Sequence, residues 1–214
     1  MRYSPSHFEF VNLLLHTQDN DNMDPLSTAN RKIVRHRSIL HLSDNTGRTP
    51  LHAAVHEKLS SIVPSLLKLG ADVDAQDNDN MTPLLLTDDK DIVQRLLEGG
   101  ARVDLRNKNG QTPLHLASQR HNATLVALYL KSGVGVDTLD NNHRTPLHSV
   151  LLSHMSFSDK RKRRKRYLLE EIIVLLLEHA ANVHLRDDHG RTPLQIASKL
   201  GVEELFSQAD QTSN

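Results

Sequence analysis

The stretch "GQTPLHLASQR", residues 110–120, decides the fold, because its centre recurs along the chain. "GRTPLHAA" sets Thr49 before Pro50, and "NMTPLLLT" sets Thr82 before Pro83. "HRTPLHSV" sets Thr145 before Pro146, and "GRTPLQIA" sets Thr192 before Pro193. With Thr112, the five threonines stand 33, 30, 33 and 47 residues apart. A second block follows each of the first four: "IVPSLLKLGADVD", "IVQRLLEGGARVD", "LVALYLKSGVGVD" and "IIVLLLEHAANVH". Self-similarity at a period of this size means stacked units, each too small to bury its own apolar face.

The local chemistry of one unit is readable. Thr before Pro starts a helix, since Thr offers a cap to the first N–H groups and Pro is tolerated at the first helical position. Small residues follow (Ala53, Ala54, Ala117 and Ala197), which let that helix sit close to its neighbours. The second block repeats apolar residues at helical spacing, as in Ile62, Val63, Leu66 and Leu67. It usually stops at a glycine suited to a left-handed C-cap: Gly70, Gly100 or Gly133. A polar turn rich in Asp, Asn and Gly then reads as a hairpin-like finger. Each unit is therefore helix, turn, helix, finger.

Composition sets the outer bounds. The chain has 214 residues, with 26 basic and 26 acidic side chains. Seven of the basic ones, Lys160, Arg161, Lys162, Arg163, Arg164, Lys165 and Arg166, are consecutive, so the remainder carries a net charge of −7. Cysteine is absent, which excludes disulfides and thiolate zinc sites and fits a reducing compartment. The N-terminus has too short an apolar core for a secretory signal, and the longest aliphatic run, "IIVLLL", is far below the ~20 residues of a membrane span. The expectation is a soluble, monomeric protein of the cytoplasm or nucleus, without a transmembrane segment. Only seven aromatic residues occur, none of them Trp, so the core is aliphatic and a base-stacking platform is not expected.

The motif Thr49-Pro50-Leu51-His52, with Thr112-Pro113-Leu114-His115 and Thr145-Pro146-Leu147-His148, resembles the ankyrin repeat family, and degenerate copies start at Thr82 and Thr192. The resemblance covers roughly residues 40–206. It implies an all-α repeat solenoid of about five recognisable units, with first helices and fingers lining a concave face. The units start near 44, 77, 107, 140 and 187, within a repeat domain spanning 44–206. Residues 1–43 are expected to form an N-terminal segment or degenerate capping repeat, and 207–214 a polar tail. Departures are informative. Asn80 and His143 stand where the finger usually has Gly, and both types tolerate the left-handed region. Ala180 replaces a C-cap glycine, Pro64 lies near the start of an outer helix and falls in or near its first turn if Ser60 or Ser61 is the cap, and the second copy is short by three residues around "TDDKD". "VEELFSQAD" reads as a polar second helix of the last copy.

The wide last interval carries 14 extra residues, at about 154–167, and the basic run lies inside them. Register places this insertion at the turn between two helices, on the edge opposite the finger tips. Three readings compete: a solvated loop that extends the second helix backwards, a nuclear import signal, and a phosphate-binding element for nucleic acid or anionic lipid. The acidic body and the lack of aromatics argue against the third.

Fourteen histidines invite a metal hypothesis, but His52, His115 and His148 hold the signature position. The resemblance implies that they hydrogen-bond around the finger and tie adjacent units. His179, His184 and His189 share no single face. Phosphate-loop, dinucleotide, zinc-protease and nucleophile-elbow motifs are absent, and no nucleophile stands beside a base. The reading is a non-enzyme with no catalytic residue, metal or cofactor. Such a chain works by presenting surface to an unidentified protein partner. The resemblance places the variable positions at the tips and first helices: Arg48, Asp79, Met81, Lys108, Gln111, Asn142, Arg144, His189 and Arg191, with His56, Gln119 and Arg120. Finger positions Asp74, Asp104, Asp137 and His184 are a weaker candidate, as hydroxylation targets. The expected role is an adaptor, scaffold or inhibitor admitted to the nucleus by an import receptor. The alternative is a binder of nucleic acid or anionic membrane through 160–166.

Overall fold

The computed structural model describes residues 40–155 and 159–207, and of 159–165 it describes the backbone. Most of the expected N-terminal segment and most of the polar tail lie outside these residues. Two compact units divide the chain after Arg102, and each is taken by itself.

The first unit holds two copies. In the first, α1 (Pro50–His56) is followed by α2 (Val63–Lys68). In the second, α3 (Pro83–Leu86) is followed by α4 (Lys90–Glu98). First helices pack on each other, and second helices likewise, α1 against α3 and α2 against α4. The three-residue deletion is absorbed by α3, which spans only four residues. Thr87 is then extended, and the Asp89 side chain caps α4 by accepting the N–H groups of Asp91 and Ile92. Pro64 does fall in the first turn of α2, but the residue before that helix is Ile62 rather than a capping serine. The core is Leu51, Ala54, Val55 and Val63 with Leu84, Leu85, Ile92, Val93 and Leu96, each within 2% of full burial. Burying a large aliphatic side chain of this kind is worth about 1.5–3 kcal/mol.

The second unit holds three copies. Its helices are α5 (Pro113–Gln119) with α6 (Ala123–Lys131), α7 (Pro146–Met155) with α8 (Asp159–Glu178), and α9 (Pro193–Leu200) with a 3₁₀ turn at Glu203–Phe206. The last copy therefore has a single 3₁₀ turn among the described residues where a second helix was expected. Gly201, in the left-handed region at φ 65°, ends α9, and Val202 and Phe206 are buried.

α8 differs from the other second helices. It spans 20 residues, where α2, α4 and α6 span six to nine. Leu169, Ile172, Ile173 and Leu176 form its buried stripe at i, i+3, i+4 and i+7. The basic run lies upstream of that stripe on the same helix, so most of the insertion lengthens α8 instead of forming a turn. Residue 166, the last of the run, is anchored. Arg166 Nε donates to Glu170 Oε1 at 2.8 Å, and its Nη2 donates to the Gly201 carbonyl at 2.9 Å.

No strand is present among the described residues. The fingers are turns, and their left-handed positions are Gly47, Asn80, Gly110, His143 and Gly190. Two of them separate backbone strain from crowding. A Cβ on Gly110 would meet the Asn141 side-chain oxygen and stand 2.8 Å from the Asn141 backbone nitrogen, whereas a Cβ on Gly190 meets nothing. Gly190→Ala is expected to cost about 1 kcal/mol, the left-handed penalty alone. Gly110→Ala is expected to cost about twice that or more, because the neighbouring finger must also move. Urea denaturation of both variants checks this; equal costs would contradict the crowding.

Candidate partner-binding face

The fingers begin at the five positions where the units were expected to start, and each of these positions is Asp or Asn. Asp44 Oδ1 accepts the N–H groups of Thr46 and Arg48. Asp77 Oδ1 accepts those of Asp79 and Met81, and Asn107 Oδ1 those of Asn109 and Gln111. Asp140 Oδ1 takes Asn142 and Arg144, and Asp187 Oδ1 takes His189 and Arg191. One short acceptor thus gathers two backbone donors and closes the turn, the local bonding for which Asx residues are favoured in turns. The sequence reading treated these residues only as turn formers. Their spacing, always five before the threonine, was the available signal.

The joint between consecutive fingers is made by the signature histidine. Thr49 N–H donates to His52 Nδ1 at 3.1 Å, while His52 Nε2 lies 3.0 Å from the Met81 carbonyl. His115 repeats this with Thr112 and the Arg144 carbonyl, and His148 with Thr145 and the Arg191 carbonyl. A carbonyl only accepts, so Nε2 carries the proton and Nδ1 is the acceptor of the Thr N–H. The bond is inaccessible to solvent, because His52, His115 and His148 are all fully buried. Tips also touch directly. Asn78 Nδ2 donates to the Asn45 carbonyl and Asn141 Nδ2 to the Lys108 carbonyl. At the last joint the Asp188 side chain has no donor; its backbone N–H donates to the Asn142 carbonyl at 3.1 Å, and its Oδ1 lies 2.5 Å from His143 Nδ1.

These contacts sort the residues singled out from sequence. Arg48 is half-buried and its Nε meets Asp77 Oδ2 at 3.4 Å in the next finger. Arg191 holds Asp187 Oδ2 with Nε at 2.9 Å and Nη2 at 2.7 Å. Gln111 is half-buried and accepts from Asn107. Met81 is half-buried, and its carbonyl is already committed to His52. Asp79, Lys108, Asn142 and His189 are exposed at the tips, and His56, Gln119 and Arg120 are exposed on or just beyond the first helices. His56 Nδ1 lies 3.2 Å from Glu57. Of the basic run, only Arg166 has a described side chain, and it is engaged as above. Among the described residues no group of three or more metal-ligating side chains converges, and no helix is long and apolar enough to cross a membrane.

Burial lowers the pKa of His52, His115 and His148 below the ordinary 6.5, outweighing the carbonyl bond and the nearby Asp that favour the cation. The unfolded chain therefore binds these protons first as the pH falls. The three joints contribute fully above pH 6.5 and lose stability as the pH drops toward the lowered native values. The melting temperature is expected to fall between pH 7.5 and pH 5, and His115→Gln should flatten part of that fall. Gln keeps the Thr N–H satisfied, as Gln195 Oε1 does for Thr192 at 3.1 Å. Losing the bond to the Arg144 carbonyl should cost about 1 kcal/mol at pH 7.5. Thermal melts across pH check both; an unchanged slope in His115→Gln would contradict the linkage. The Asp187 carboxyl behaves oppositely: burial would raise it, but the Arg191 bonds and the backbone N–H groups hold it below the usual range.

Comparison with known proteins matches this geometry. A family model described as ankyrin repeats in three copies matches residues 85–156, and one described as a single ankyrin repeat matches residues 46–78. The chain is 27% identical over 169 residues to YahD of Escherichia coli (strain K12), an ankyrin repeat protein by name, over 78% of this chain and 80% of that one. It is 39% identical over 64 residues to protein phosphatase 1 regulatory subunit 27 of Mus musculus, over 29% of this chain and 42% of that one. An ankyrin repeat domain from Acinetobacter baumannii AYE superposes with a TM-score of 0.72 at 28% identity, over 86% of this chain and 96% of that one. The recurring Thr-Pro starts, the Asx-closed fingers and the histidine joints are those of an all-α ankyrin fold, and the chain belongs to the ankyrin repeat family.

Proposed function

We propose that this chain is a non-enzymatic interaction module that grips a protein partner through its finger tips and first-helix positions. Ankyrin repeats are in general protein–protein interaction modules, and the similarity to a phosphatase regulatory subunit is in keeping with a regulatory role. One observation carries the reading. The fingers satisfy their own N–H groups with buried or half-buried Asp and Asn, which leaves side chains such as Asn142 and His189 facing solvent without a structural task. The tips are polar and mixed in charge, so the interface is wet and of modest affinity instead of a greasy obligate one. On this reading the basic run 160–166 works as an import signal, carried on a feature outside the repeat period. It sets where the protein goes, not what it binds.

Two measurements test this. A multiple variant at Asp79, Lys108, Asn142, Gln119 and His189 should lose the proteins captured by the wild type, with its melting curve intact. Undiminished capture would remove the finger face from the proposal. A tagged chain with Lys160–Arg166 replaced by Gly and Ser should lose nuclear accumulation, and an unchanged distribution would remove the import role. Strong, salt-sensitive binding of duplex DNA or anionic vesicles by the wild type, lost in the same replacement, would favour a phosphate-binding run instead.

A further inference from the structure

The outward face of α8 differs from that of the other second helices. α2 exposes Ser65 and Lys68, α4 exposes Lys90, Asp91, Gln94 and Glu98, and α6 exposes Thr124 and Lys131. α8 instead exposes Tyr167 (62%) and Val174 (40%), together with Glu171 and Glu178. Half-buried Leu175 and Leu177 flank them. Large apolar side chains grouped in water mark an interaction surface.

These four exposed residues share one stripe. At 3.6 residues per turn, positions 167, 171, 174 and 178 stay within about 40° of one line along the helix. Continued upstream along the helical backbone, the same line meets positions 160 and 163, which are Lys and Arg. In chain order the stripe is two bases, Tyr167, Glu171, Val174 and Glu178, so its charges balance. Arg164 stands at its border, and positions 161, 162 and 165 fall on other sides of the helix. Arg166 and Glu170 hold each other, and no ion pair engages Glu171 or Glu178 among the described residues. The elements packed against α8 add exposed Lys131 on α6 and exposed Glu203 and Glu204 on the 3₁₀ turn.

We propose that the outward stripe of α8 pairs with the same stripe of a second copy of this chain, antiparallel about a two-fold axis. An isologous interface must be complementary to itself. A stripe that is basic at one end and acidic at the other meets that condition only when antiparallel, and charges along a helix pair set its orientation. Full overlap puts the axis level with Leu169. Lys160 then stands opposite Glu178 of the partner subunit, Arg163 lies between the levels of the partner's Glu171 and the partner's Glu178, and the apolar residues are enclosed. A flat anionic surface does not fit, because Glu171 and Glu178 share the stripe. The monomer expected from the sequence assumed a turn at this insertion, and a turn has no such stripe. The contact leaves the fingers untouched, so it goes beyond the finger-face reading and does not rest on it. A second copy and an import receptor would compete for the bases at 160 and 163.

Sedimentation equilibrium of the full chain, taken up to about 1 mM, tests this. A weak dimer is expected, loosened by salt. Glu178→Lys sets a lysine against Lys160 on both sides of the axis and should weaken the dimer about tenfold or more. Lys160→Glu should do the same against Glu178, and the double reversal should restore the dimer. Each single reversal gives its end of α8 the charge that the helix dipole favours, so the fold is not at risk, and melting curves check that. A chain that stays monomeric at every concentration would overturn the inference. So would a dimer indifferent to both reversals, or losses that the double variant does not repair. A monomer that binds anionic vesicles through α8 would overturn the second copy in favour of a lipid surface.

Discussion

One neutral imidazole, held between a threonine N–H and the carbonyl of the next finger, is the interaction on which three of the finger joints depend. It works only in one tautomer and one charge state. Nδ1 must accept and Nε2 must donate, which His52, His115 and His148 each do from full burial. Protonation would put a second donor against the Thr N–H, so burial and geometry enforce the same state. Copies 2 and 5 show what other side chains can do at that position. Leu85 has no ring nitrogen to offer, and Gln195 satisfies its threonine by a different acceptor.

The imidazole joint depends on the finger being closed already, and this is the task of Asp44, Asp77, Asn107, Asp140 and Asp187. Each binds its finger's own N–H groups, so the finger arrives at the joint with its backbone satisfied. The consequence is functional. Closing and joining the fingers uses an Asx acceptor, a left-handed tip residue and, in three copies, a buried His, and asks little of the remaining tip side chains. Those positions can vary without unfolding the stack, which is why a repeat of this kind suits recognition. Arg144 shows both tasks in one residue: its N–H and carbonyl belong to the finger and its joint, while its Nε makes no hydrogen bond.

The basic run makes the same division in a different element. Seven like charges near the N-terminal end of a helix repel one another and oppose the helix dipole, so they do not stabilise α8. The helix is held further along, by the buried stripe from Leu169 to Leu176 and by Arg166 on Glu170 and Gly201.

Much of this protein was legible in the sequence by itself. The Thr-Pro period gave the repeat, the helix starts and the finger boundaries, because each is a local rule of capping and backbone geometry that a few neighbouring residues determine. Asn80, His143 and Ala180 were readable for the same reason, and all three adopt positive φ. Tertiary structure decided what depends on residues distant in the chain. The insertion register pointed to a turn, yet the backbone of the basic run is helical, continuous with a stripe that buries Leu169 to Leu176. The arginines at positions 48, 144 and 191 look alike in sequence, yet Arg48 pairs with Asp77 of the following finger, Arg191 with Asp187 of its own, and Arg144 Nε is buried without a hydrogen bond. A local pattern can specify a finger, but which charge meets which carboxylate is settled by stacking, through distances that no single repeat contains.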